Sequence, residues 1–199
     1  MSSNSCAKIA LSLVFAALAV PASSQVSPAA VGGGGVRYAV GGGVSDFKMD
    51  YNTGYEWGGT LWGDATFNSG PAYLHGLGLE FEARDISYHR PSTLPNDMRT
   101  DTIGGGVKYT WQHFNRFRPY VKGLISFGNI DLKKNAYHFD WVLYSPGLGV
   151  EYRPIGHVWI RADYEYQIWP DVFNPNWTYN PGGYTLGAMY QFGKRRRPL

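Results

Sequence analysis

Cysteine is nearly missing from this chain of 199 residues. Cys6 is the only one, and it precedes the first apolar run, whereas a lipoprotein cysteine would have to follow it. Without further thiols, the sequence excludes a disulfide framework and a cysteine metal site. The five histidines are scattered, and no two stand at metal-ligand spacing. We therefore expect no metal and no cofactor.

Long apolar runs are also missing. No stretch reaches the roughly 20 apolar residues that a transmembrane helix needs. Charged residues make up only 17% of the chain, and four of the 18 basic residues stand together at 194–197. The others form no basic stripe of the kind that binds nucleic acid, so we expect no nucleic-acid partner.

The N-terminal segment has the composition of a secretory signal peptide. Lys8 supplies a positive start, residues 9–20 form a short apolar run, and Ala22 and Ser24 are the small residues of a cleavage site. We expect residues 1–24 to be removed by cleavage between Ser24 and Gln25. Residues 25–35, with four consecutive glycines, then form a flexible lead-in, and residues 193–199 form a basic C-terminal tail.

Two-residue alternation is the strongest pattern that the chain does have. It is clearest near residue 160, where Val158, Ile160, Ala162, Tyr164, Tyr166 and Ile168 alternate with Trp159, Arg161, Asp163, Glu165 and Gln167. Eight such segments are predicted, at about 36–46, 56–67, 73–87, 100–113, 118–129, 140–153, 157–168 and 183–192. An apolar face opposite a polar face over many strands is typical of a membrane β-barrel, whose outer surface meets lipid. The sequence predicts an all-β, eight-stranded, antiparallel, up-and-down transmembrane barrel over residues 36–192.

The predicted connections alternate in length. The second, fourth and sixth are short (68–72, 114–117 and 154–156), and the others run to roughly 10 to 14 residues. Short periplasmic turns and long extracellular loops would place both termini in the periplasm. Aromatic residues gather at the strand ends, as expected at the two lipid–water boundaries.

The inward faces are predicted to carry charges of both signs. These residues are Arg37, Asp64, Glu80, Glu82, Arg84, Lys108, Lys122, Glu151, Arg161, Asp163 and Glu165. Acidic and basic residues are nearly equal in number on these faces. This predicts ion pairs in the lumen, because buried charges of one sign are prohibitively costly. For Arg161 and Glu165 we expect partners on neighbouring strands. An interior filled in this way is a structural plug rather than an ion pathway, and a sealed lumen gives a substrate no access, so we expect no enzymatic activity.

Several strands resemble those of a known family. They are Gly-Leu-Gly-Leu-Glu-Phe-Glu at 76–82, Pro-Tyr-Val-Lys-Gly at 119–123, Gly-Leu-Gly-Val-Glu-Tyr-Arg-Pro at 147–154, Ile-Arg-Ala-Asp-Tyr-Glu-Tyr-Gln at 160–167 and the closing Gly-Ala-Met-Tyr-Gln-Phe at 187–192. Together they resemble the small eight-stranded outer-membrane barrels of the OmpA/OmpX and opacity-protein type. The resemblance implies a bacterial outer-membrane location, contact with outer-membrane lipid and lipopolysaccharide, and insertion by the barrel-assembly machinery. It also makes Tyr190 and Phe192 the assembly signal, although seven residues follow Phe192 here.

Residues 169–182 form the best candidate recognition surface, for an extracellular ligand that is unknown. Three prolines stiffen this segment, and Phe173, Trp177 and Tyr179 are expected to be exposed. Alternatively, these rings pack on neighbouring loops and cap the barrel. The expected role is structural or surface-interacting. The alternative function, passage of small hydrophobic molecules, would need a lateral gap or an apolar inner mouth. A soluble lipocalin-like calyx would need the opposite polarity of the two faces.

Overall fold

The computed structural model describes residues 35–48, 50, 54–68, 74–87, 98–114, 116–132, 137–171 and 178–192. Its eight strands follow one another in sequence order around a closed antiparallel barrel, in which the last strand pairs with the first. This confirms the predicted fold class. The leader, the cleavage site, Phe173 and Trp177 lie outside the described residues. Within those ranges, no helix is long and apolar enough to cross a membrane.

The strand bounds are β1 Val36–Lys48, β2 Tyr55–Phe67, β3 Leu77–Ser87, β4 Met98–Thr110, β5 Phe117–Leu132, β6 Tyr137–Ile155, β7 Val158–Tyr166 and β8 Gly182–Gln191. Closure is made by β1 and β8, whose register runs from Ala39↔Gln191 to Lys48↔Gly182. Because successive side chains point to opposite faces, each strand sends one set into the lumen and the other outward.

The outward set is largely apolar and the inward set largely polar. On β7 the side chains of Trp159, Arg161, Asp163 and Glu165 are buried, whereas those of Val158 and Ile160 are exposed. Trp57, Leu61 and Phe127 on other strands are each more than 60% exposed. An apolar outer surface of this extent is stable in lipid rather than in water.

The apolar outer belt has well-marked edges. Towards the loops it ends at acidic residues that face outward, such as Asp46 on β1, Asp85 on β3 and Asp101 on β4. Towards the turns it ends at exposed rings, among them Trp111, Phe117, Tyr152, Tyr190 and Phe192. The ten-residue step from Asp101 to Trp111 corresponds to about 25 Å along the axis of a tilted strand, which matches the hydrocarbon thickness that such barrels span.

Several strand ends differ by a few residues from the predicted bounds, and the start of the third strand differs most. The third strand begins at Leu77 rather than at 73, because Gly76 has a φ of 96° and turns the chain. There its N–H donates to the Phe67 carbonyl, and its own carbonyl accepts the Thr110 N–H.

The connection between β5 and β6 is not long. The hairpin ladder continues to Leu132↔Tyr137, which leaves only residues 133–136 between the two strands. The strict alternation of short and long connections that we predicted is therefore wrong here, and it is also wrong earlier in the chain, where the first connection (49–54) is shorter than the second (68–76).

Candidate functional site

The centre of the lumen is organised around Arg161. Its guanidinium makes two bonds to Glu80, Nη1–Oε2 at 2.9 Å and Nη2–Oε1 at 2.7 Å, and Nε donates to Asp163 at 2.7 Å. The rings of Trp62 and Tyr120 lie 4.6 and 5.0 Å from its Cζ atom. Arg161 is fully buried, so its charge is balanced entirely by these neighbours.

A second cluster lies nearer the loops and contains two cations and two carboxylates. Arg84 Nη1 is 2.8 Å from Glu165 Oε1, and Arg84 Nη2 is 2.5 Å from Glu82 Oε1. Lys122 Nζ bridges the same two carboxylates, at 2.7 Å from Glu82 Oε2 and 2.8 Å from Glu165 Oε2. Each carboxylate therefore accepts from both cations.

A third cluster lies nearer the turns. Lys108 Nζ is 2.5 Å from Glu151 Oε1, 3.2 Å from Asp64 Oδ2 and 3.4 Å from Glu80 Oε2. Arg37 lies close by on the inner face of β1, and its main electrostatic partners are Glu151 and Asp64. The structure thus places all the predicted lumen charges inside the barrel and joins most of them in one network.

Partners of Arg161 and Glu165 lie across the lumen, contrary to the expectation that neighbouring strands would supply them. Arg161 on β7 binds Glu80 on β3, and Glu165 on β7 binds Arg84 on β3. An eight-stranded interior is only about as wide as the side chains that fill it, so long side chains reach the opposite wall.

The filled interior limits what the site can do chemically. The central carboxylates are each bonded to a buried cation, so their charge is already compensated by the protein itself. Among the described residues, no group of three or more His, Cys, Asp or Glu side chains is arranged to hold a metal ion. The arrangement fits a plug that locks opposite walls of the barrel together.

A buried apolar cluster lies at the loop end of the lumen. Trp169 and Tyr179 form a backbone bridge, with N–H···O distances of 2.9 and 3.0 Å, and pack with Ile130 and Leu143. Tyr179 is only 4% exposed, so the prediction that it is an exposed recognition residue is wrong. The bridge to Trp169 pairs the returning chain with the end of β7 and buries the Tyr179 ring.

Sequence reasoning missed some of the buried residues at the loop end of the lumen. Trp169 continues the inward parity of β7, and its Nε1–H donates to Gln167 Oε1 at 2.9 Å, while Gln167 donates in turn to Glu165 at 3.1 Å. Glu56 is also buried and faces inward. The signal that would have found them was present, because each residue lies on the polar face of its strand or on the direct continuation of that face.

The two residues assigned to the assembly signal lie where the barrel closes. Tyr190 and Phe192 are exposed on the outer face, with ring centroids 5.1 Å apart in an edge-to-face arrangement. The Phe192 N–H donates to the Tyr38 carbonyl at 2.8 Å. Phe192 thus fastens the end of the last strand to the first.

Fold, outer belt and filled lumen together define an integral membrane barrel. The chain belongs to the outer membrane protein beta-barrel domain family, whose sequence model matches residues 10–192. The protein is accordingly a bacterial outer-membrane β-barrel. Comparison with curated protein sequences finds no match.

Solved structures with a similar fold include two small outer-membrane proteins. Neisserial surface protein A is 14% identical, with a TM-score of 0.57 over 79% of this chain and 97% of that one. Ail, the attachment invasion locus protein of Yersinia pestis, solved with the heparin analogue sucrose octasulfate, is 16% identical, with a TM-score of 0.54 over 79% and 97% of the two chains. At such low identity, these likenesses concern the fold alone.

Proposed function

We propose that the protein is a non-enzymatic, non-conducting outer-membrane barrel that acts structurally and through its extracellular loops. The observation that carries this proposal is the lumen, in which Arg84, Lys108, Lys122 and Arg161 tie the inner carboxylates together. Because paired charges occupy the interior, the loops are the part of the molecule best able to meet a partner.

The proposed orientation puts both termini in the periplasm. An even number of strands brings the two ends of the barrel to the same side, together with the three turns. The leader would direct export and be cleaved after Ser24. N-terminal sequencing of outer-membrane fractions should then give a chain beginning at Gln25. Recovery of the uncleaved protein in the inner membrane would contradict this proposal.

Charge narrows the class of loop ligand. The loop-side segments carry Asp46, Asp50, Asp85, Asp97, Asp101, Asp131, Asp140 and Asp171 against Lys48, Arg90, Arg99, Lys133 and Lys134. This acidic excess disfavours a sulfated polysaccharide, even though Ail was solved with a heparin analogue. We propose a protein or uncharged glycan partner, bound by Phe173 and Trp177, with Tyr179 anchoring the segment from below.

Barrels in lipid nanodiscs, applied to a panel of immobilised proteins and glycans, would test the role of the loops. The Phe173→Ala/Trp177→Ala variant should lose whatever binding the wild type shows and keep its folded mobility on gels. Phe114→Ala is the matched control, because Phe114 is an exposed ring at the turn end. Equal binding by the loop variant and the wild type would refute the assignment of these rings.

Passage of small hydrophobic molecules is less well supported. The pairing of β1 with β8 is continuous over ten residue pairs, so this seam offers no lateral opening. The ladder of inward charges also opposes transit of apolar solutes, because each such solute would have to displace paired ions. Insertion by the barrel-assembly machinery and contact with lipopolysaccharide complete the proposal.

A further inference from the structure

At its loop end the lumen contains a layer of uncharged side chains with a single carboxyl group among them. These side chains point inward from successive strands and from the chain that follows β7. We call them the loop-end layer: Phe47, Glu56, Ile86, Thr100, Ile130, Leu143, Trp169 and Tyr179. None of them is more than 4% exposed, and Glu56, which carries the carboxyl group, is 1% exposed.

Glu56 is linked by neighbouring residues to the bridge between Trp169 and Tyr179. Its side chain faces Thr100 on β4. Thr100 pairs with Ile130 on β5, and Ile130 packs with both Trp169 and Tyr179. A change in the state of Glu56 therefore reaches, through two intermediate residues, the rings that the returning chain brings to the loop end.

The carboxyl group of Glu56 makes no ion pair with any residue that the structure describes. Its Oε1 atom is buried and has no hydrogen-bond partner there, and the same is true of Thr100 Oγ1. Towards the centre, the next inward cation on β3 is Arg84, which is bound to Glu82 and Glu165. The other charged residues at this level of β1, β3 and β4 face outward. They are Asp46, Lys48, Asp85, Arg99 and Asp101.

The charge state of Glu56 decides whether the loop-end layer can stay packed. An ionised carboxylate only accepts hydrogen bonds, and here its charge would be buried without a counter-ion. A protonated carboxyl is neutral, and its O–H can donate to the Thr100 hydroxyl oxygen, which has no partner otherwise. The packed layer is therefore compatible with the protonated form and is opposed by the ionised form.

We propose that Glu56 is a proton-dependent switch at the loop end of the barrel. With its proton, the side chain is neutral and holds the layer together. When the proton leaves to the medium, the carboxylate draws in water, and the layer loosens around Trp169 and Tyr179. Glu56 lies beyond the loop edge of the outer belt, since its neighbour Trp57 pairs with Asp46. In the orientation proposed above, the switch responds to the medium outside the cell, whatever ligand the loops bind.

Glu56→Gln isolates this proton, because an amide cannot ionise. In the unfolded chain a glutamate ionises near pH 4.3, so at higher pH unfolding of the wild type releases a proton that the variant does not carry. The ratio of the wild-type unfolding constant to that of the variant should therefore rise by up to about tenfold per pH unit, as long as the folded barrel keeps the proton. Urea unfolding of the full mature chain in phospholipid vesicles, at a series of pH values, gives this ratio.

A ratio that stays constant between about pH 4 and pH 9 would overturn the proposal. Asp46→Asn is the matched control, because Asp46 is an exposed acid on the neighbouring strand at nearly the same level. This variant should keep the pH dependence of the wild type. If Glu56→Gln does not fold, Glu56→Leu takes its place in the comparison, because an apolar side chain of similar size suits an uncharged layer.

Hydrogen exchange distinguishes a switch from a buried acid that affects nothing else. The backbone N–H groups of Trp169 and Tyr179 each donate to the other residue's carbonyl, and the Gly76 N–H, bonded to Phe67 at the turn end, serves as the internal reference. Relative to Gly76, protection of the two bridge amides should fall in the wild type as the pH rises and stay constant in the Glu56→Gln variant. Equal loss of protection in both proteins, or no loss in either, would show that Glu56 does not control the loop end.

Discussion

At the scale of single residues, burial of charged side chains is the main cost to the stability of this barrel. Ion pairs within the lumen offset that cost. Taking an ion out of water costs several kcal/mol, which is regained only when geometry and hydrogen bonds are good. Arg161 meets this condition with two bonds to Glu80 and a third to Asp163. Its loss would leave both carboxylates without their main partner.

Replacing Arg161 by glutamine should therefore destabilise the barrel by about 3–5 kcal/mol, the cost of leaving a buried charge uncompensated. Equilibrium unfolding in urea, in phospholipid vesicles and followed by tryptophan fluorescence, would measure it. Arg99→Gln is the control, because Arg99 makes an exposed pair with Asp85 at 2.7 Å and exposed pairs are worth about 0–1 kcal/mol. Similar losses in the two variants would show that the lumen network is not a stabilising feature.

Glycine makes close strand contact possible at specific inner positions. A Cβ at Gly106 would lie 2.0 Å from the carbonyl oxygen of Gly123, whereas a Cβ at Gly123 would meet nothing within 4 Å. Gly106→Ala should cost about 1–3 kcal/mol through overpacking. Gly123→Ala should stay within about 0.5 kcal/mol of the wild type in the same unfolding experiment. Equal changes in the free energy of unfolding of the two variants would mean that β4 and β5 can move apart without loss of stability.

At the scale of strands, alternation in the sequence was sufficient to predict the number of strands and the face to which each residue points. Strand ends were harder, because a turn such as the one at Gly76 depends on a backbone angle rather than on polarity. The extra length of the β5–β6 hairpin and the burial of Tyr179 depend on pairing with another segment. Ion-pair partners across the lumen depend on the stagger of the strands, which a two-residue period does not contain.

The last strand also carries a prediction about assembly. Phe192→Ala should slow membrane insertion more than deletion of residues 193–199, because the substitution removes the exposed aromatic ring that packs on Tyr190 at the end of the last strand. Pulse-chase labelling, with the folded form resolved on unboiled gels, would give the two rates. If the deletion blocks insertion while Phe192→Ala inserts normally, the signal lies in the tail.

At the scale of the whole molecule, the outer surface that contacts lipid is apolar, and the inner surface that lines the lumen is charged. The outer belt carries exposed aromatic rings at both edges and outward-facing acidic residues at its loop edge, and the interior is occupied by a cross-linked set of ions. A soluble calyx would reverse this polarity, and an open channel would leave the inner charges hydrated. The two ends also differ in charge, with the acidic end bearing the loops.

Current through single barrels in planar lipid bilayers tests the closed lumen most directly. The wild type should show no steady current of porin size at any holding voltage, because paired side chains occupy an eight-stranded interior. Arg161→Gln, where it folds, should show brief openings as water enters around the uncompensated carboxylates. Steady porin-sized currents through the wild-type protein would contradict the closed lumen, and passage of solutes would then replace the structural and surface role.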